Sequence, residues 1–254
     1  IDGPAPEPAP PGERDHIGIF RQKQRGMNYI GLKILVGRIK AGDLRNIAAL
    51  AERYGTGEVR LSPAQAIVIP HISDRVVGEL AEEPLVKQFA YNPSPLYKGL
   101  VSCVGSDYCN MAVIETKRRA VETAHILERK LEGLKPITLH WSGCPAGCGN
   151  HLVADIGLLG KKARVGGKVV DAVDIFVGGR SGPDPKLATK IMEDVPCDKL
   201  PAVLENLMPY HTRDKMHRVR GKAVAKSTAS AKSASSANAA DGAISGLTPQ
   251  PFPA

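Results

Sequence analysis

Four of the five cysteines lie as two pairs in short segments whose residue types allow several kinds of chemistry. Five residues separate Cys103 from Cys109. Three residues separate Cys144 from Cys148 in "SGCPAGCGNH", and Cys144 lies 35 positions after Cys109. Thiols in such pairs can form disulfides, hold a zinc ion or bind an iron–sulfur cluster. The rest of the sequence must discriminate between these three kinds of site.

Disulfides and zinc are the less favoured options. Five cysteines is an odd number, and nothing in the sequence indicates an oxidising compartment, so a disulfide framework is disfavoured. Structural zinc usually uses at least one pair of cysteines separated by only two residues, and neither pair here has that spacing. His140 and His151 are close in sequence and could complete a zinc site, although His140 is expected to be an ordinary strand residue. A zinc-bound structural domain stays open as an alternative.

A [4Fe–4S] cluster suits the two pairs, because each of its corners takes one cysteine thiolate. Small residues around the second pair would let backbone N–H groups approach and hydrogen-bond the cluster sulfides. These residues are Gly143, Ala146, Gly147 and Gly149. A helix predicted directly after Cys109 would also point its positive N-terminal end at the anionic cluster. The small residues of the second pair leave room for a broad, flat second cofactor.

The elements that position these cysteines form two organised segments, the first over residues 16–96. An alternating strand ("YIGLKILVGRI") precedes a helix ("GDLRNIAALAERYGTG") with Asp43 as its expected N-cap and glycines at its end. Two short strands, "EVRLS" and "AIVIP", are separated by Pro63, and a second helix ("SDRVVGELAEEP") ends at Pro84. This order is typical of a ferredoxin-like α/β sandwich.

The second organised segment covers residues 97–210, where a long helix is predicted over 110–133 because apolar residues recur at helical spacing. That apolar stripe consists of Val113, Ala120, Ala124, Leu127 and Leu131. We predict strands at "ITLHW", "VADIGLLG" and "AVDIFVGG", and helices at "KLATKIMEDV" and "KLPAVLENLMPY". The expected fold class is α+β: a ferredoxin-like α/β sandwich half followed by an α/β cluster-binding domain, with both cysteine pairs in loops at the ends of its elements.

The two ends of the chain are expected to be disordered and to carry no chemistry. Residues 1–15 form a Pro/Ala/Glu leader, and residues 211–254 form a basic tail rich in Ala, Ser and Lys. Of the net charge of +8, seven Lys/Arg against two Asp leave +5 in that tail and +3 in residues 1–210. Since aromatic residues interleaved with Lys and Arg are absent, nucleic acid is not the expected partner. No apolar run is long enough for a membrane span.

Three stretches resemble the cluster region of sirohaem-containing nitrite and sulfite reductases. They are "CVGSDYCNMAVIETKRRA", "HWSGCPAGCGNHLVADIGLLG" and "VDIFVGG", and the gap between the cysteine pairs is most similar to that of the ferredoxin–nitrite reductase branch. The stretch "IGIFRQKQRGMNYIGLKILVGRIKAGDLRNIAALAERYGTGEVRLSPAQAIVIP" is similar to the second ferredoxin-like half of the same enzymes. The resemblance covers residues 16–210 and identifies the chain as the C-terminal half of such an enzyme.

The resemblance implies a coupled [4Fe–4S]–sirohaem centre, which makes residues 97–210 a cluster- and sirohaem-binding domain. The implied cluster ligands are Cys103, Cys109, Cys144 and Cys148, of which Cys148 also bridges to the sirohaem iron. The implied activity is the six-electron reduction of nitrite to ammonia, with ferredoxin as electron donor, in the cytoplasm or the plastid stroma. A sulfite reductase and a self-contained small sirohaem/iron–sulfur electron-transfer protein are the alternatives.

The sequence also departs from the family pattern. Ala146 and Ala66 stand where the family often has asparagine. Whole enzymes of the family are about twice this long, and their first half supplies the cations that hold the substrate anion. A start at Ile1 without a signal sequence therefore leads us to expect a chain cut from a longer one, which needs the N-terminal half for activity.

The cations nearest to the cysteines in sequence are not expected to bind the substrate. Lys117, Arg118 and Arg119 are predicted to form a solvated helix face, while Lys161, Lys162 and Arg164 are candidates for contacts with cofactor carboxylates. The fifth cysteine, Cys197, is expected to be a partly buried structural thiol.

Overall fold

The computed structural model describes residues 15–182 and 184–210, and the first part of these forms a four-stranded antiparallel sheet. Its strands, in the order β1-β2-β4-β3, are β1 (Gly18–Arg21), β2 (Met27–Lys33), β3 (Arg60–Ser62) and β4 (Ala66–Ser73). The accompanying helices are α1 (Ala41–Tyr54), α2 (Val77–Glu82) and α3 (Pro84–Gln88). The predicted helices, and the two strands on either side of Pro63, are all confirmed.

Alternation of apolar residues along the strands explains the core beneath this sheet. Ile30 and Leu32 on β2 and Ile69 on β4 are fully buried and pack against Ile47 of α1. The expected N-cap of α1 was wrong, because the helix begins before Asp43, which therefore lies in the first turn. A carboxylate in the first turn still stabilises the helix through its dipole.

A second, five-stranded sheet has the order β5-β6-β7-β8-β9. Its strands are β5 (Leu100–Ser102), β6 (Leu139–Ser142), β7 (Ile156–Val165), β8 (Lys168–Val177) and β9 (Thr189–Pro196). Its helices are α4 (Pro95–Gly99), α5 (Lys117–Lys130) and α6 (Leu200–Leu207). The pairs β5–β6 and β6–β7 are parallel, whereas β7–β8 and β8–β9 are antiparallel. Leu127 of α5 and Trp141 of β6 belong to the core of this part.

The prediction of a helix over 186–195 was wrong, since most of this stretch is the edge strand β9. Its partner β8 determines the conformation: Val173 pairs with Val195, and the backbone N–H of Asp194 donates to Asp174 Oδ1 at 3.1 Å. Lys190 Nζ lies 3.5 Å from the other oxygen of Asp174. Contacts with the neighbouring strand therefore override the local helical preference.

The helix predicted over 110–133 begins only at Lys117. Backbone groups in the preceding residues are used elsewhere, because Val113 N–H donates to Gly143 O at 2.8 Å and Ser106 N–H donates to Ile114 O at 3.1 Å. The Glu115 carboxylate then accepts hydrogen bonds from the first-turn N–H groups of α5. The Glu115 carboxylate therefore satisfies the first N–H groups of α5, and the expectation that this helix end points at a cluster stays a prediction.

Lys33, the last residue of β2, connects the two sheets. Its side chain is buried, and Nζ donates to Ala64 O at 2.6 Å and to Leu100 O, at the start of β5, at 2.7 Å. Burial lowers the pKa of Lys33 to about 7, partly opposed by the nearby Asp15 carboxylate. The predicted domain boundary between residues 96 and 97 stays a prediction. Most of the predicted leader and all of the predicted tail lie outside the described residues.

The helices in the described residues are all too short or too polar to span a lipid bilayer.

We expect Lys33 to make the stability of the protein rise with pH. Because its pKa is about 7 in the folded chain and 10.5 is the ordinary value, the unfolded chain binds more protons between these values. Unfolding is therefore progressively disfavoured as pH rises through that window. Urea unfolding at several pH values, under anaerobic conditions, should show that this rise is smaller in Lys33→Met.

The matched control is Lys87→Met, which removes an exposed ammonium paired with Glu82. Its pH dependence should follow that of the unsubstituted chain. Equal slopes for the two variants would contradict the assignment of the rise to Lys33.

Candidate functional site

The two cysteine pairs begin at the same end of the second sheet, next to the carboxyl ends of two neighbouring strands. Strands β5 and β6 are parallel neighbours, with Ser102 opposite Trp141, so their carboxyl ends lie side by side. Cys103 follows the last residue of β5, and Cys144 comes shortly after the end of β6. The structure therefore confirms that both cysteine pairs lie in loops at the ends of elements.

The first loop, residues 103–116, is bonded to β6 at its start, and its two ends are bonded to each other. Cys103 N–H donates to Trp141 O at 3.0 Å, and Thr116 Oγ1 donates to Cys103 O at 2.9 Å. Inside the loop, Cys109 N–H donates to Gly105 O at 3.1 Å. Gly105 has a φ of +77°, and a Cβ there would lie 2.7 Å from Thr116 N, so only glycine allows this close approach.

The second loop turns tightly back against the end of β6. Gly147 N–H donates to Cys144 O at 3.2 Å and Asn150 N–H donates to Gly147 O at 2.8 Å. A Cβ on Gly149 would lie 1.9 Å from Trp141 O, so the residue after Cys148 must be glycine.

The side chain of Ser142 holds this second loop through hydrogen bonds. Its buried Oγ accepts a hydrogen bond from Gly149 N–H at 3.1 Å and lies 3.0 Å from His151 Nδ1. The His151 ring packs edge-on against Phe176, and burial lowers its pKa. His151 is therefore a neutral structural residue at neutral pH.

The environment of the Cys103 sulfur fits a cluster ligand. Gly143 N–H donates to Cys103 Sγ at 3.1 Å, and Thr116 Oγ1 lies 3.6 Å from the same sulfur. Backbone N–H groups directed at a cysteine sulfur are the contacts that stabilise the negative charge of a cluster-bound thiolate. Cys103, Cys109 and Cys144 are half-buried and Cys148 is exposed.

The competing kinds of site find no support in the geometry. All five cysteines are free thiols, which excludes a disulfide framework in this conformation. Within residues 15–182 and 184–210, no group of three or more His, Cys, Asp or Glu side chains could hold a single metal ion. His140 Nδ1 donates to Asn150 O at 3.1 Å and His151 bonds Ser142, so both candidate zinc ligands have structural roles. A cubane cluster differs because its thiolates bind four separate iron atoms.

The prediction that Lys117, Arg118 and Arg119 form one solvated face was wrong for two of the three. Arg118 is exposed and pairs with Glu122. Lys117 is half-buried and donates from Nζ to Val36 O, and burial lowers its pKa. A guanidinium nitrogen of Arg119 lies 2.7 Å from the Oδ2 atom of Asp171. Lys117 and Arg119 therefore hold the helix against its neighbours.

The second set of cations lies on β7. Lys161 Nζ is 2.8 Å from Asp194 and 3.3 Å from Asp174, and Lys162 Nζ pairs with Asp171. These ion pairs raise the pKa of Lys161. The contacts of Lys161 and Lys162 with cofactor carboxylates stay a prediction, and so does the contact of Arg164. Cys197 is half-buried, as expected, and burial raises its pKa.

Residue-level reasoning on the sequence missed two groups that hold the site from the first sheet. Gln65 hydrogen-bonds the backbone of Ser102 through its side-chain amide, and Lys33 bonds Leu100. The sequence contains one weak signal for Gln65, its position in the family-like stretch "RLSPAQAIVIP".

Two family models match most of the chain. Residues 20–86 match the nitrite/sulfite reductase ferredoxin-like half domain, and residues 98–232 match the nitrite and sulphite reductase 4Fe-4S domain. The second match contains all four cysteines of the two pairs. The expected family and the α+β fold class are thereby confirmed, and the matches support both expected cofactors, a [4Fe–4S] cluster and sirohaem.

Individual relatives agree with this assignment. The chain is 48% identical over 204 residues to a ferredoxin–nitrite reductase of Synechococcus elongatus, covering 80% of this chain and 40% of that one. It is 44% identical over 196 residues to a chloroplastic ferredoxin–nitrite reductase of Oryza sativa, covering 77% of this chain and 33% of that one. The chain therefore spans less than half the length of these relatives.

Solved structures show the same fold. The Mycobacterium tuberculosis NirA protein is 30% identical and has a TM-score of 0.74, covering 87% of this chain and 43% of that one. A dissimilatory sulfite reductase I (DsrI) is 13% identical with a TM-score of 0.60, covering 76% of this chain and 67% of that one, which supports the fold alone.

We expect Ser142→Ala to loosen the second cysteine loop. The substitution leaves the buried Gly149 N–H without the acceptor it has now and removes the bond to His151. The free energy of unfolding should fall by about 1–3 kcal/mol. Urea unfolding and hydrogen exchange at the Gly149 amide measure these effects. Ser106→Ala, at an exposed serine of the first loop, should change neither, and an unaltered Gly149 exchange rate in Ser142→Ala would refute the role of Ser142.

Proposed function

The chain belongs to the nitrite and sulphite reductase family, and on that premise we propose that it is the cofactor-carrying part of a ferredoxin-dependent nitrite reductase. The observation that carries the proposal is the position of the cysteines. Two pairs follow the carboxyl ends of neighbouring parallel strands inside the stretch that matches the family's 4Fe-4S domain. The relatives named above as ferredoxin–nitrite reductases support nitrite as substrate and ferredoxin as electron donor.

The proposed cluster ligands are Cys103, Cys109, Cys144 and Cys148, with Cys148 shared with the sirohaem iron. The exposure of Cys148 and the small residues Ala146 and Gly147 beside it support this assignment, because a macrocycle needs open space next to the shared sulfur. When bound, the coupled centre supplies the redox chemistry that takes single electrons from ferredoxin and delivers six to nitrite.

The protein's own residues keep the proposed ligands in place. Gly143 N–H stabilises a thiolate at Cys103, and Ser142 holds the turn that presents Cys148. Binding of a small anion requires several convergent cationic donors. Lys117, Arg119 and Lys161 already bond protein groups, which supports the proposal that other donors come from an N-terminal half. A labile cluster also requires a reducing compartment, for which we propose the cytoplasm or the plastid stroma.

Each of the four cysteines should be needed for the cluster. After anaerobic reconstitution, Cys→Ser substitution at position 103, 109, 144 or 148 should remove most of the iron and acid-labile sulfide. Cys148→Ser should in addition alter the sirohaem absorption bands. Cys197→Ser is the matched control, because this half-buried thiol lies outside both loops, and it should keep full iron and sulfide. Full cluster content in Cys148→Ser, with unaltered tetrapyrrole bands, would refute the proposed ligand set.

The chain alone should bind its cofactors and still fail to reduce nitrite. With reduced ferredoxin under anaerobic conditions, ammonia formation is expected only when the N-terminal part of a related enzyme is joined to the chain. Turnover of nitrite by the isolated chain would disprove the requirement for further cationic donors.

A further inference from the structure

Gln65 lies in the turn between β3 and β4 in an unusual backbone conformation. Its φ is +57°, in the left-handed region that a glutamine seldom adopts. The turn is nevertheless well held: Gln65 N–H donates to Ser62 O at 3.0 Å, and Gln65 O accepts from Ile34 N–H at 3.0 Å. Backbone strain of this kind persists only where surrounding contacts hold it. The side chain of Gln65 extends away from the first sheet, to which its backbone belongs.

The Gln65 amide binds both backbone groups of one residue on β5. Nε2 donates to Ser102 O at 2.6 Å, and Ser102 N–H donates to Oε1 at 3.2 Å. Strand β5 is the edge of the five-stranded sheet, with β6 on its other side. Two such bonds to one residue are what a further strand would provide, and a neutral amide is a side chain that offers donor and acceptor groups together.

The fold leaves room for the Gln65 amide beside Gly37. Gly37, in the short helical turn after β2, has a φ of +66°, and a Cβ there would lie 3.3 Å from the Gln65 amide. A larger residue at position 37 would therefore press on the side chain that reaches Ser102.

We propose that Gln65 is a positioning residue for the iron–sulfur cluster: by pairing with Ser102 it fixes the end of β5, and thereby the sulfur of the adjacent Cys103. The proposal rests on the proposed function, since it requires Cys103 to be a cluster ligand. Gln65 itself touches no cofactor atom in this role.

Few contacts separate the Gln65 side chain from the sulfur of Cys103. Ser102 directly precedes Cys103, whose N–H donates to Trp141 O at 3.0 Å. Gly143 N–H then donates to Cys103 Sγ at 3.1 Å. Without Gln65, Ser102 at the end of β5 loses its bonds on the side away from β6, and Lys33 still holds only the start of the strand, at Leu100. The sulfur of the adjacent Cys103 can then shift relative to Gly143 N–H. A hydrogen bond to a ligand sulfur stabilises the more negative, reduced cluster and so raises its reduction potential.

The test compares Gln65→Met with the unsubstituted chain and with Gln88→Met. Methionine has a similar length and removes both hydrogen bonds, whereas Gln88 is exposed at the end of α3. We measure hydrogen exchange at the Ser102 amide, and the EPR spectrum and midpoint potential of the anaerobically reconstituted cluster. Gln65→Asn, in which the amide is one methylene shorter, is the milder variant should Gln65→Met fold poorly.

In Gln65→Met we expect exchange at Ser102 to accelerate roughly tenfold, which is the effect of losing one ordinary hydrogen bond. The cluster should form, with a shifted EPR signal and a more negative midpoint potential, and Gln65→Asn should change in the same direction. Gln88→Met should match the unsubstituted chain. A lower thermal stability with unaltered potential and EPR signal would show a merely structural role and overturn the proposal. Failure of the unsubstituted chain to bind a four-cysteine cluster would instead refute the proposed function.

Discussion

The site depends on the parallel pairing of β5 with β6. Parallel neighbours end at the same edge of a sheet, so the register that places Ser102 opposite Trp141 also places the starts of the two cysteine loops side by side. Trp141 contributes twice, because its carbonyl accepts Cys103 N–H at 3.0 Å and limits the residue after Cys148 to glycine. A shift of one residue between these strands would separate the loops and reverse the faces of their side chains.

Strand β5 is too short to hold this register alone. Its three residues form an edge of the second sheet, and the first sheet supplies the missing contacts through Lys33 at Leu100 and Gln65 at Ser102. Burying an amine costs free energy, which is why the pKa of Lys33 falls to about 7. The cost is offset by the two hydrogen bonds that the Lys33 ammonium donates, to Ala64 O and Leu100 O. The first sheet therefore acts as a support for the first cysteine.

Local pattern was sufficient to predict the elements whose apolar residues alternate or recur regularly, such as β6, β8 and α1. The same reasoning failed at β9, where cross-strand bonds to Asp174 decide the conformation, and at the start of α5, where Val113 is bonded to Gly143 instead of to its own turn. The cysteine pairs were recognisable because few ligand sets have their spacing and surroundings. Gln65 was not, because its partner Ser102 lies 37 residues away and is bound through its backbone.

The two loops also differ in the exposure of their cysteines, and the difference suits their proposed roles. Cys103 is half-buried, and its sulfur accepts a hydrogen bond from the Gly143 N–H. Cys148 is exposed, yet the residue after it is bonded to Ser142 and confined by Trp141. A sulfur shared by two cofactors must be accessible on one side and still held in one position. Glycine at position 149 meets both conditions, because it allows the backbone to be buried while the preceding side chain stays open.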